Sequence, residues 1–259
     1  MRMNIRNRLH IATFSENAIN AISDWEMGME INHTCISEML DDEKRGELIK
    51  SIREDIEKSG ATNLVMHGPF TEIHPAAIDY KVRELGMERL NQAYLVCSEL
   101  GVKKMVVHTG WLPFIYFKEY QAEKAAKFWQ SFMANKPQDF EIYIENVLED
   151  EPYMILDMME KIKDPRIHLC LDTGHMNAMM NDEYDIEDWF KVLSPYIEHF
   201  HLHNNDGEND SHSPLGEGSM DFDEIFELIN QYCDDDATIT IEARDAESCL
   251  EWLLERRYI

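Results

Sequence analysis

The sequence predicts a (β/α)8 barrel, and three observations lead there. Apolar runs alternate with helical stretches along the whole chain, the pattern of a parallel α/β protein. Eight runs read as strands, and six of them end in a potential metal ligand: His67, His108, Glu145, Asp172, His201 and Glu242. The length, 259 residues, is usual for one such barrel, whereas the G-x-G-x-x-G of an open dinucleotide-binding sheet is missing after the early strands. A single domain over residues 1–259 is expected.

Taken in order, residues 10–14 and 29–32 are the first two strands, and 36–58 offers mostly helical sequence before the third, 63–67. Residues 78–100 follow, with Ile78, Val82, Leu85, Ala93, Cys97 and Leu100 spaced to share one helical face, and Gly101 is placed to cap that helix. The strand 104–108 precedes a helix at 117–135, and 141–145 precedes one at 152–162. The strand 168–172 leads to a helix at 186–193, and the strand 198–201 to one at 221–232. That last helix opens on Asp221-Phe-Asp-Glu224, a capping-box-like start in which Asp221 can accept an amide hydrogen bond. The strand 238–242 and a helix at 246–256 complete the alternation. Runs this short and apolar suit parallel strands buried on both faces.

Twenty-four basic against 51 acidic side chains give a formal charge of −27. That field repels nucleic acid and anionic membranes, although most of the excess reads as solvated helix faces and acidic loops such as 149–151, 182–183 and 234–236. No apolar stretch approaches the length of a membrane span. The basic start, residues 1–8, is followed by Leu9-His-Ile-Ala-Thr-Phe14, too short and polar for a signal-peptide core, so a cytoplasmic location is expected. Five scattered cysteines without a C-x-x-C pair suit reduced thiols. The 16 methionines follow strands and helix faces, as core filling requires.

In a (β/α)8 barrel the carboxyl ends of all strands converge on one mouth. Imidazoles and carboxylates collected there suit zinc, manganese or a related divalent ion, and six of them can fill more than one coordination shell. Asp172-Thr-Gly-His175 adds a histidine just past a strand, and Asp210-Ser-His212 adds two groups in the loop after the seventh strand. An alternative for His175 is a helix-start histidine bonded to backbone.

With these residues in view the chain resembles the xylose-isomerase-like TIM-barrel superfamily, which contains sugar and sugar-phosphate isomerases and epimerases and also endonuclease IV, an apurinic-site repair nuclease. The resemblance rests on His67-Gly-Pro-Phe70, His108-Thr-Gly110, Glu145-Asn146, Asp172-Thr-Gly-His175, His201-Leu-His203, Asp210-Ser-His212, Leu215-Gly-Glu-Gly218 and Glu242, and runs from about residue 63 to 242. The isomerase members imply one ion held by Glu145, Asp172, His201 and Glu242. Glu145 and Glu242 would also move the substrate proton, and His175 would contact a substrate oxygen. The nuclease members imply three zinc ions: one on His67, His108 and Glu145, a second on Glu145, Asp172, His201 and Glu242, and a third on His175, Asp210 and His212. One to three ions, Zn2+ or Mn2+, are therefore expected.

Departures from the nuclease pattern count against DNA. The loop Asn32-His-Thr-Cys-Ile-Ser37 lacks the basic and aromatic side chains that a base-flipping nuclease inserts. Phe70 stands where a tyrosine would grip DNA, and the mouth segments are nearly free of lysine and arginine. The leading expectation is a metal-dependent isomerase or epimerase of a small sugar or sugar phosphate. The alternatives are a trinuclear zinc phosphoesterase, including an apurinic-site nuclease, and a metal-binding barrel without catalysis. Trp111 reads as packing more than as a sugar platform. His203 and Glu217 read equally as partners of ligands or as polar loop, and His10, His33, His74, His168 and His199 as ordinary structural histidines. The sequence leaves the oligomeric state open.

Overall fold

A computed structural model describes residues 4–259, so that Met1–Met3 of the basic start lie outside the described residues. Among the described residues eight strands form a closed parallel barrel: β1 Leu9–Ala12, β2 Gly28–Ile31, β3 Leu64–His67, β4 Lys104–His108, β5 Glu141–Glu145, β6 Ile167–Asp172, β7 Ile197–Leu202 and β8 Thr238–Ile241. Closure is made by β1 pairing with both β2 and β8. The helices are α1 Ala18–Trp25, α2 Asp42–Ser59, α3 Tyr80–Leu100, α4 Lys118–Met133, α5 Tyr153–Lys161, α6 Thr173–Met179, α7 Ile186–Leu193, α8 Phe222–Tyr232 and α9 Ala246–Glu255. None is long and apolar enough to cross a membrane.

Side chains alternate across each strand, and this divides the core in two. Outward residues such as Ile142, Ile144, Phe200, Ile239 and Ile241 join the helices in the large apolar sheath. Inward residues fill the barrel, where Val65, Val106, Tyr143 and Cys170 form a small apolar cluster of their own on the side of β3 to β6. On the opposite side, β1, β2, β7 and β8 send in His10, Glu30, His199, His201 and Thr240, all fully buried.

Register brings the strand ends to one level. His108 pairs with Glu145 across β4 and β5. Between β6 and β7 the register shifts at Leu169/Cys170, so that Leu169 faces Ile197 but Cys170 faces His199, and Asp172 then meets His201. An unbroken register would have set Asp172 against the outward-facing Phe200.

Two helices were not foreseen in the sequence. α1 carries a stripe of Ala18, Ala21, Ile22 and Trp25, and its N-cap, Asn17, although of a favoured capping type, sits in the left-handed region with φ 54° and makes no side-chain cap bond. α6 begins directly at the end of β6, where Asp172 accepts the His175 amide hydrogen at 2.6 Å. Along α3 the expected stripe is corrected. Ile78, Val82 and Leu85 are exposed, and the buried face is Gly86, Leu90, Ala93, Val96 and Cys97. Leu85 and Ala93 are eight residues apart, which at 3.6 residues per turn leaves them about 80° out of line, while Ile78 precedes the helix and Val82 lies in its first turn. Gly101 caps α3 at φ 75°, and Asp221 caps α8 by accepting from the Asp223 amide, as expected. Methionines including Met29, Met66, Met105, Met158 and Met176 are buried, and the five cysteines are separate thiols.

Gly28 on β2 lies against the inward ring of His10, and a β-carbon there would come within 2.4 Å of the His10 Cδ2. Gly28→Ala is expected to lower stability by roughly 1–3 kcal/mol through overpacking, read by urea unfolding. An unchanged midpoint would contradict the packing of the His10 ring against Gly28 inside the barrel.

Candidate metal centre

All nine residues singled out in the sequence converge at the carboxyl ends of the strands. Glu145, the last residue of β5, is at their centre and fully buried. Its Oε2 lies 3.2 Å from His67 Nε2 and 3.2 Å from His108 Nε2. Its Oε1 lies 3.2 Å from His201 Nδ1 and 3.3 Å from His175 Nδ1. Around His201 Nδ1 are also Glu242 Oε2 at 3.4 Å and Asp172 Oδ2 at 3.8 Å. Beyond them, Asp210 Oδ2 is 3.3 Å from both His175 Nε2 and His212 Nε2.

Five sets of donor atoms among the described residues lie close enough to share an ion. Two reach into the barrel: Glu30 with His67, His201 and Glu242, and Cys170 with His199 and His201. Three are at the mouth: His67, His108 and Glu145; Glu145, Asp172, His201 and Glu242; and His175, His203, Asp210 and His212. His203 is the addition to the expected third set. It is fully buried, its Nε2 lies 3.2 Å from Asp172 Oδ1, and its ring stacks on His212 at 3.9 Å. Room for that ring depends on Gly174, where a β-carbon would fall 2.0 Å from it. Glu217 is exposed, Trp111 is packed in the core, and Phe70 stacks on His108 at 4.4 Å beside the cavity.

Backbone acceptors orient the rings. His67 Nδ1 is 2.9 Å from the Gly68 carbonyl, and His212 Nδ1 is 2.7 Å from that of Glu242. When each Nδ1–H donates to its carbonyl, the Nε2 lone pair is left facing the carboxylates. Asn146 ties β5 to β6: its Nδ2 donates to the Asp172 carbonyl at 2.9 Å and its Oδ1 accepts the Asp172 amide at 2.8 Å.

The centre fits a cation by one structural test. Glu145 Oε1, Asp172 Oδ2 and His201 Nδ1 are buried and make no hydrogen bond among the described residues, although they crowd within 4 Å of His201 Nδ1. Unpaired buried polar atoms are costly, and an ion among them satisfies all three at once. The electrostatics agree. Burial pushes the Glu145 carboxyl upward, yet His201 and His108 outweigh it and hold it well below the usual carboxylate range. The imidazoles themselves divide: burial pushes His108 down, whereas, against burial, neighbouring anionic groups hold His67, His175 and His201 well above their ordinary value, so that in place of an ion the centre takes up protons. At the rim, burial opposes protonation of His212, but Asp210 and Glu242 carry it up to about 9.

The centre opens into a cavity of about 640 Å3 whose wall includes Phe14, Ile36, Phe70 and Val147. Among the described lining residues none is lysine or arginine. Sequence reasoning passed over Glu30, which lies mid-strand on β2 and carries no strand-end signature. It is fully buried and bonds His201 from below.

The profile of a xylose isomerase-like TIM barrel matches residues 25–256. An uncharacterized protein of Methanocaldococcus jannaschii is 28% identical over 204 residues, covering 74% of this chain and 69% of its own. A probable endonuclease 4 of Mycoplasma capricolum is 25% identical over 218 residues, covering 76% of this chain and 70% of its own. Among solved structures, a D-tagatose 3-epimerase-like protein superimposes with a TM-score of 0.76 at 21% identity, covering 97% of this chain and 96% of its own, a likeness of fold. With its closed barrel and this profile, the chain belongs to the xylose isomerase-like TIM-barrel family.

Proposed function

We propose that the protein is a divalent-metal-dependent isomerase or epimerase of a small sugar or sugar phosphate. The observation that carries this reading is the meeting of three unpartnered buried donor atoms, on Glu145, Asp172 and His201, where Glu145 lines a cavity with no lysine or arginine among its described lining residues. A cavity of about 640 Å3 suits a small ligand. A duplex, by contrast, needs cations at its phosphates.

Glu145, Asp172, His201 and Glu242 would hold the ion, Zn2+ or Mn2+, and when bound it would polarise a carbonyl or hydroxyl oxygen of the sugar. The remaining chemistry belongs to the chain. One glutamate removes the proton from the carbon next to the carbonyl, and the electron pair moves onto the oxygen. The other returns a proton to the opposite face or to the neighbouring carbon, so the product is an isomer and nothing is oxidised or reduced overall. Glu242 touches a single donor of the centre, His201, which leaves it freer than the fourfold-contacted Glu145 to exchange a proton. His175, whose Nδ1 lies 3.0 Å from the Asn146 carbonyl as a helix-start histidine bonded to backbone would, is left with Nε2 to contact a substrate oxygen, and Phe70 and Val147 form an apolar part of the wall.

A second reading, a trinuclear zinc phosphoesterase, is favoured by one observation: the third donor set of His175, His203, Asp210 and His212 is more than a single-ion isomerase requires. The lack of lysine and arginine among the described cavity-lining residues weighs against a nucleic-acid substrate.

With metal-loaded protein, solvent deuterium is expected to enter the carbon beside the carbonyl of at least one member of a panel of aldoses, ketoses and their phosphates. Glu145→Gln and Glu242→Gln should each slow that exchange by about 10²–10⁴-fold, the range for a lost acid or base. No exchange into any sugar, together with chelator-sensitive cleavage of an abasic duplex, would overturn the first reading in favour of the second. Dialysis against a chelator should also lower the unfolding temperature, because an ion at 100 times its Kd stabilises by about 2.7 kcal/mol. An unfolding curve indifferent to both chelator and added Zn2+ or Mn2+ would argue against any ion at the centre.

A further inference from the structure

The interior of this barrel is unusual on one side. Barrel interiors are ordinarily filled by layers of branched apolar side chains, as Val65 and Val106 do here. Across from them a polar group takes that place directly beneath the candidate metal centre, with Glu30 as its hub. Glu30 Oε2 accepts from Thr240 Oγ1 at 2.6 Å and lies 3.1 Å from His201 Nε2 and 3.3 Å from His199 Nε2. All four residues are fully buried. A carboxylate and two imidazoles in that position are expensive to keep in place of aliphatic packing, so a purely space-filling role does not account for them.

The donors can be ordered. His199 is fully buried, and a neutral imidazole has one N–H. The Thr238 hydroxyl is 2.7 Å from His199 Nδ1 and can donate to it, which leaves His199 Nε2–H directed at Glu30 and at Thr240 Oγ1, 3.1 Å away. Thr240 passes its own hydroxyl hydrogen to Glu30. Glu30 Oε2 thus collects donors from two strands, and His201 Nε2–H is one of them. With Nε2 committed below, the remaining nitrogen of that ring is Nδ1, the unpartnered atom facing Glu145, Asp172 and Glu242.

We propose that Glu30 is a positioning residue: its carboxylate, from inside the barrel, fixes the tautomer and tilt of His201 so that Nδ1 is presented to the ion. Glu30 acts through His201, as carboxylates behind metal-ligating histidines do elsewhere, and touches no substrate. The register shift at Leu169/Cys170 and the Glu30 bond cooperate. The first sets His201 level with Asp172, and the second sets which nitrogen points there. This inference rests on reading the centre as a cation site, so its test separates the two.

The measurement is the affinity of the full chain for Zn2+, read by competition with a chromophoric chelator, for the wild type, Glu30→Ala, Glu30→Gln and Asp172→Asn. Glu30→Ala is expected to weaken binding by about 10–100-fold, the range for loss of such a supporting group, and Glu30→Gln by less, because its amide oxygen still accepts Nε2–H. Asp172→Asn should weaken it as well. Loss in Asp172→Asn with none in either Glu30 variant would overturn the role of Glu30 and leave the cation site standing, whereas no loss in any variant would overturn both. Should Glu30→Ala fail to fold, the wild type itself decides by 15N NMR of its histidines with Zn2+ bound. His201 is expected protonated at Nε2 with its Nδ1 on the metal, and the opposite assignment would refute the proposal.

Discussion

A dry carboxylate at the end of β5 is the constraint on which the rest of the centre depends. Glu145 is fully buried, and its two oxygens face four imidazoles delivered by β3, β4, β7 and the first turn of α6. A charged group so enclosed is tolerable only with matching charge and donors. The surrounding elements are arranged accordingly: His108 stands opposite Glu145 in register, Asn146 locks β5 to β6, and Asp172 caps α6 while turning its other oxygen inward. Replacing any of these by an apolar residue would leave the others facing one another without compensation.

Much of this was legible in the sequence because of how parallel barrels are built. The last inward residue of each strand lies next to the loop, where the apolar run stops, so His67, His108, Glu145, Asp172, His201 and Glu242 announce themselves by position. Helices with strong punctuation were legible for the same reason, as Gly101 after α3 and Asp221 before α8 show. Where punctuation is missing the signal fails. α6 has no loop before it, and α1, although Asn17 is of a capping type, is only 8 residues long and its cap bond is not made. Leu85 misled because residues at helical steps can drift out of line over two turns.

Glu30 was illegible for a different reason. It lies in the middle of Gly28–Ile31, where alternation says only that it faces inward, and nothing local reveals that His199, His201 and Thr240 arrive at the same height from strands far away in sequence. The register shift between β6 and β7 is equally a property of paired strands, absent from either strand alone. His203 falls between these cases. Its place after β7 pointed to the mouth, but its contact with Asp172 and its stacking on His212 required the α6 turn and Gly174. A cavity without lysine or arginine among its described lining residues and a net charge of −27 are what favour the small ligand proposed for the centre, since the family itself includes relatives named as endonucleases.

The central claim is that a divalent ion belongs among Glu145, Asp172, His201 and Glu242. Anomalous diffraction from crystals of the as-purified protein, collected on both sides of the zinc and manganese absorption edges, addresses it directly. The account predicts a peak within coordination distance of Glu145 Oε1, Asp172 Oδ2 and His201 Nδ1, the last bound through Nδ1. A difference map with no peak there, even after soaking in Zn2+ or Mn2+, would contradict it.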